Sequence, residues 1–343
     1  MNNLFLPEIY SILNVRYSTR NMSDDEFEQL LPLLAIQLTE VDYHYAYDSS
    51  TLHKDWHNLL KEHVHGNTIS STKRVGMKLC EHFFPNFFEI KSKGKSFEEL
   101  WKIPTVHEKI LRWNRKSHST PYLSELRRGV YFTQGLTKST MYRPLIAKAI
   151  VQFYNAHSVL DPCAGWGGRM LGSVAAGAMY VGFEPNKKTY DNLCQLAKFL
   201  NIETQVKLYN APFEDIESYL GKPKSQFDLV LTSPPYFNLE IYSDDNTQSY
   251  NRYTTYQEWV DGFLKPSIEC GIQYLNTGGH SCWNVAKISK TKNLVQDVLN
   301  IHEQNNFITD QHFSIVSSKR QSNQTVTKNK KSSDDTVCFR RNT

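Results

Sequence analysis

Residues 157–170, HSVLDPCAGWGGRM, decide the fold. The short apolar run HSVLD (157–161) reads as a strand, and a helix follows from Met170 to Ala176. Between them Gly165, Gly167 and Gly168 let the backbone turn sharply and let a ligand approach where any other residue would place a Cβ. The helix that opens there presents unpaired N–H groups to such a ligand. In an open α/β sheet this first turn lies at the carboxyl edge of the strands, where ligands bind. By itself the turn serves NAD, FAD or no ligand at all.

Downstream, the same rhythm continues. MYVGFE (179–184) is the next strand, followed by a helix over 187–200. QVKLYN (205–210) and FDLVLT (227–232) are two more strands, with a helix near 213–220 between them. A helix over 259–274, the strand GHSCWNV (279–285) and a helix over 293–304 complete the alternation. Strand, helix, strand in this order means a mostly parallel sheet with helices on both faces. HFSIV (312–316) and TVCFR (336–340) close the chain as two further strands. The segment joining them is polar and basic, and it reads as a mobile loop carrying Lys319, Arg320, Lys328, Lys330 and Lys331.

Upstream, residues 1–118 form a polar region rich in aromatics and His, expected to be mainly helical and separate from a second domain over 119–343. Ser23 reads as an N-cap with Asp24, Asp25 and Glu26 in the first turn of a helix over 27–38, which Pro32 is expected to kink or restart. Further helices are expected around 56–63, 74–84 and 97–101.

With 40% hydrophobic and 13% aromatic residues among 343, the chain can bury a core and is not disordered. A net charge of +4 permits nucleic-acid binding without demanding it. The six cysteines are scattered with no CxxC pair, so they read as reduced thiols in a soluble cytoplasmic protein. No run is long enough to span a bilayer, and no membrane partner is expected. No metal is expected either: His53 and His57 stand four apart, but no Glu follows His53 and no Cys is close.

Two more features carry chemistry. Glu184, ending the second strand, is placed to accept hydrogen bonds from the hydroxyls of a ribose, which leaves NAD and S-adenosylmethionine both open. TSPPYF (232–237) follows the fourth strand directly. Its prolines have fixed φ and no N–H, so Ser233, Pro234 and Pro235 make a rigid bend. The Ser233 hydroxyl and the Pro234 carbonyl suit the two hydrogens of an exocyclic amino group, and Tyr236 suits the face of the base.

DPCAGWGG (161–168), FEPN (183–186) and TSPPYF together resemble the amino-methyltransferase family of DNA modification enzymes, whose cofactor turn reads DPFxGSGT and whose catalytic tetrapeptide is [DNS]PP[YFW]. The resemblance covers about residues 133–341. It implies a Rossmann-like methyltransferase sheet, mostly parallel with a C-terminal antiparallel hairpin. It implies S-adenosylmethionine as cofactor, with Asp161, Cys163, Gly165 and Gly167 along its methionine part, Glu184 on the ribose, and Phe213 and Glu214 flanking the adenine. TKSTMYRPL (137–145) resembles the family's extra cofactor motif, which carries over to Thr140, Tyr142 and Arg143. Ser233, Pro234, Pro235 and Tyr236 are then the catalytic residues.

The partner implied is double-stranded DNA with the target base flipped out. A cognate restriction nuclease and the oligomeric state stay open. Ser at the first tetrapeptide position favours cytosine N4, with adenine N6, an RNA base, or a non-catalytic nucleic-acid-binding role as alternatives. Three departures stand out. Trp166 replaces the small residue of the turn, Gly168 replaces its Thr, and NAPFED (210–215) lacks the usual Asp. The motif order also leaves no room for a recognition domain between the two motifs. Target reading is therefore expected from residues 1–118, the 237–256 loop with Phe237 at its head, or the basic loop.

Overall fold

The computed structural model describes residues 22–64, 66–70, 73–117, 121–137, 139–289, 293–316 and 331–342. The chain divides into two compact units, and the division does not fall at His118. One unit comprises Met1–Tyr45, Pro85–Thr140 and Glu240–Tyr242; the other comprises Ala46–Phe84, Met141–Leu239 and Ser243–Thr343. Among the described residues, no helix is long and apolar enough to cross a membrane.

The first unit is mainly helical, with helices Asp24–Leu38, Phe97–Trp101, Pro104–Lys116 and Leu123–Gln134. Ser23 caps the first by accepting from the Glu26 N–H at 3.2 Å. That helix does not restart at Pro32, which lies inside it. Pro32 is exposed, so the carbonyl it cannot pair is left to water. Tyr43, Phe88, Phe97 and Trp101 pack as an aromatic cluster, and the Trp101 indole donates to the Val41 carbonyl at 3.0 Å. Ile241 exchanges backbone hydrogen bonds of 3.0 Å with Lys91, which brings part of the 237–256 loop into this unit.

The second unit is built on one sheet. Its strands are β1 (Thr68–Ser70), β4 (Ser158–Asp161), β5 (Met179–Phe183), β6 (Val206–Tyr209), β7 (Phe227–Thr232), β8 (Leu275–Val285), β9 (Phe307–Val316) and β10 (Lys331–Arg341); β2 (Lys91–Ser92) and β3 (Lys95–Ser96) form a small hairpin in the first unit. The order is β1-β9-β10-β8-β7-β4-β5-β6. Pairing is parallel from β8 through β7, β4 and β5 to β6, while β10 runs antiparallel between β8 and β9. This is the Rossmann-like sheet with a C-terminal antiparallel hairpin that the resemblance implies. The strand order reverses between β4 and β7, so a cleft opens beyond their carboxyl ends.

Three expectations need correction. β1, three residues within the supposed helical region, adds a parallel edge strand beside β9. Cys282 and Cys338 are directly opposite each other on β8 and β10 and form a disulfide, so these two are not reduced thiols. Antiparallel register brought together residues 56 apart in sequence. Lys331 begins β10, pairing with Val316, and is not part of the connecting loop. Lys319, Arg320, Lys328 and Lys330 lie outside the described residues.

Candidate active site

The site is assembled around Asp161, the last residue of β4. Its buried carboxylate accepts from the Cys163 N–H at 3.1 Å, Arg169 Nε at 2.7 Å, the Tyr180 hydroxyl at 2.7 Å and Thr232 Oγ1 at 2.8 Å. A carboxylate offers about four lone-pair sites. Four protein donors fill them, so Asp161 holds the glycine turn, β5 and β7 together where a contact to cofactor was expected of it. Thr232 immediately precedes the tetrapeptide. The bond to Asp161 therefore ties DPCAGWGG to TSPPYF.

The turn itself is open on one side. Gly165 has φ 58°, and a Cβ there would meet nothing closer than 3.7 Å. Its N–H donates to Glu184 Oε2 at 3.0 Å, while Glu184 Oε1 accepts from the Asn186 N–H at 2.9 Å. Burial pushes the Glu184 carboxyl up to about 7, against the pull of these two backbone donors. Gly167 ends the turn as the N-cap of the helix Gly168–Ala175. A Cβ on Gly168 would lie 1.9 Å from the Tyr142 carbonyl oxygen, so the departure from Thr is sterically required. Trp166 is half-buried against the core. Burial, and then the neighbouring Asp161, push the Cys163 thiol up, so it stays protonated and is no nucleophile.

Beyond β6, Asn210 spans the carbonyls of Glu184 and Pro185 at 2.9 and 3.1 Å and pins the turn after β5. Phe213 is buried edge-on to Phe183. Glu214 is ion-paired to Arg252 through Oε1, while its Oε2 is buried without a partner. The Tyr209 hydroxyl is likewise buried and unpartnered. These two unpartnered polar atoms, at the end of β6 and in the turn after it, leave hydrogen-bonding capacity for a polar ligand.

On the other side, Ser233 lies at the end of β7. Asn284 Nδ2 donates to Ser233 Oγ at 3.3 Å, Thr336 Oγ1 donates to Asn284 Oδ1 at 3.2 Å, and the Tyr142 hydroxyl meets Thr336 Oγ1 at 3.0 Å. Pro234 is buried; Pro235 and Tyr236 are partly exposed. Phe237 adopts φ 52° and buries its ring beside Tyr256 and Trp259. It therefore belongs to the core and does not offer the nucleic-acid contact expected of it.

Tyr142 thus joins the site, though through Thr336. Arg143 turns to the Lys73 carbonyl at 2.9 Å, and Thr140 is exposed and belongs to the first unit. Arg169, Tyr180, Asn284 and Thr336 were not singled out from sequence. Only Arg169, ending the glycine motif, had a local signal.

No family model matches the chain, and no curated protein matches it. Among solved structures it is similar to TrmN from Thermus thermophilus, at 12% identity and a TM-score of 0.40, covering 58% of this chain and 48% of that one. A precorrin-6y C5,15-methyltransferase from Geobacter metallireducens gives 11% and 0.40, over 60% of this chain and 92% of that one. An S-adenosylmethionine-dependent O-methyltransferase from Thermotoga maritima gives 9% and 0.39, over 65% and 72%. Likeness at this level carries no residue roles across.

Proposed function

We propose that the protein is an S-adenosylmethionine-dependent methyltransferase acting on the exocyclic amino group of a nucleic-acid base, with cytosine N4 in DNA as the foremost target. The observation that carries this reading is the 2.8 Å bond from Thr232 to Asp161, which sets the serine-proline-proline-tyrosine bend against the open glycine turn.

When bound, S-adenosylmethionine supplies an electrophilic methyl group. Glu184 would hold the ribose hydroxyls, Gly165 would leave room along the methionine part, and Glu214 Oε2 would take a donor from the adenine. Ser233 Oγ and the Pro234 carbonyl would accept the two amino hydrogens, drawing the nitrogen lone pair out of conjugation and toward the methyl; as the N–C bond forms, the bond from methyl to sulfur breaks and one amino proton is released to solvent. Tyr236 stacks on the base. Positioning and preorganised acceptors do the chemistry, with no covalent link to the chain. The base must first leave its duplex, because its amino group is otherwise paired and stacked.

The test is transfer of labelled methyl from S-adenosylmethionine to DNA and to RNA, followed by hydrolysis and identification of the nucleoside. N4-methylcytosine in DNA is expected. N6-methyladenine or a methylated RNA base would move the target and keep the chemistry. No transfer to either polymer would reject the reading. Tyr236→Ala should abolish transfer and leave cofactor affinity close to that of the wild type.

A further inference from the structure

The bonds that end on Ser233 have a direction. Asn284 and Thr336 face each other across β8 and β10, and the same sheet pairs Thr232 with Trp283, so Ser233, just past β7, lies beside Asn284 near the end of β8. Thr336 is fully buried, and its single hydroxyl proton goes to Asn284 Oδ1. Thr336 Oγ1 must then accept from Tyr142, whose phenol burial keeps protonated. With Oδ1 engaged, the Asn284 amide points its N–H at Ser233 Oγ. Every proton in the chain of four residues runs toward the serine.

A serine hydroxyl has two lone pairs and one proton. Asn284 takes one lone pair. Among the described residues no protein acceptor lies within reach of the serine's own proton. One lone pair and one proton remain for the substrate. We infer that Asn284, fixed by Thr336 and Tyr142, is a positioning residue that makes Ser233 a paired donor and acceptor. Such a pair matches an amino group beside an unprotonated ring nitrogen.

This rests on the amino-methyltransferase reading above and deepens it. Cytosine presents such an edge at N4 and N3, and adenine presents it at N6 and N1. The relay therefore fits the amino edge of cytosine or adenine, and losing one of its hydrogen bonds would cost what an unpaired buried polar group costs.

The experiment follows labelled methyl transfer to DNA and RNA with wild type, Asn284→Ala, Asn284→Asp, Thr336→Val and Thr336→Ser, with S-adenosylmethionine affinity measured in parallel. Wild type should give N4-methylcytosine or N6-methyladenine. Asn284→Asp is nearly isosteric, but its carboxylate takes the serine proton and abolishes the donor. It and Asn284→Ala should lose about tenfold or more in kcat, the scale of one misplaced hydrogen bond, with cofactor affinity within about twofold of wild type. Thr336→Val should lose activity too, and Thr336→Ser, which keeps the hydroxyl, should restore it.

Wild-type kcat in Asn284→Asp would overturn the relay. A wild type that methylates neither polymer would reject the parent reading and this inference with it.

Discussion

Glu184 is subject to opposing demands. Burial favours its neutral acid and lifts its pKa from the ordinary 4.5 to about 7, whereas ribose hydroxyls favour the carboxylate. Between those two values the folded chain holds a proton that the unfolded chain has released. Stability therefore falls as pH rises across that window and levels off above it. Glu184→Gln should flatten this dependence in urea unfolding followed from about pH 5 to about pH 8. Cofactor affinity should run the other way, tightening about tenfold from about pH 6 to about pH 8 as the carboxylate forms. Titration calorimetry on wild type and Glu184→Gln checks it, and a pH-independent wild type would remove Glu184 from the ribose site. Glu184 and Ser233 were legible in the sequence because their strands and turns surround them locally. Asn284 and Thr336 were not. Their meeting depends on β8–β10 register, which nothing in either segment announces.

At the level of elements, turn chemistry and apolar runs located β4, β5, β6 and β7 to within a residue or two. The helix Pro104–Lys116 escaped, because buried His107 and Asn114 share its inner face with Val106, Ile110 and Leu111 and blur the apolar period. Lys148 was similarly opaque. A cation in the apolar helix Pro144–Phe153 looks misplaced until the structure shows its amine donating to the carbonyls of Leu59, Leu60 and Glu62 at 2.7 to 2.9 Å, capping the helix Ser49–Lys61. Gly168 makes the same point with a testable edge. Restoring the threonine of the related motif would drive a Cβ to within 1.9 Å of the Tyr142 carbonyl and separate the helix Gly168–Ala175 from its neighbour. Gly168→Thr should cost about 1–3 kcal/mol or more, as overpacking does. The measurement is the denaturant midpoint at unchanged m, and an unaltered midpoint would show that the approach is not tight.

Across the whole molecule, charge is unevenly distributed along the chain. Lys319, Arg320, Lys328, Lys330 and Lys331 exceed in number the entire net charge of +4, so the remainder of the chain is close to neutral. No acidic residue interrupts the stretch from Lys319 to Lys331, and the strands on either side of it, β9 and β10, belong to the sheet whose carboxyl edge bears the candidate site. On the proposed function, this segment is a candidate for holding the polyanion, whatever reads the target base. Phosphate contacts orient a protein without specifying sequence. Each one lost should flatten the dependence of log affinity on log salt by about 0.9 for a duplex. Neutralising Lys328, Lys330 and Lys331 together should therefore weaken DNA binding at low salt and reduce that slope by up to about 3, while methyl transfer at saturating DNA is retained. Affinity measured over a salt series decides the matter. An unchanged slope would assign the cations to solubility alone and transfer the holding of DNA to other basic side chains, among which those of the helical unit would be tested next.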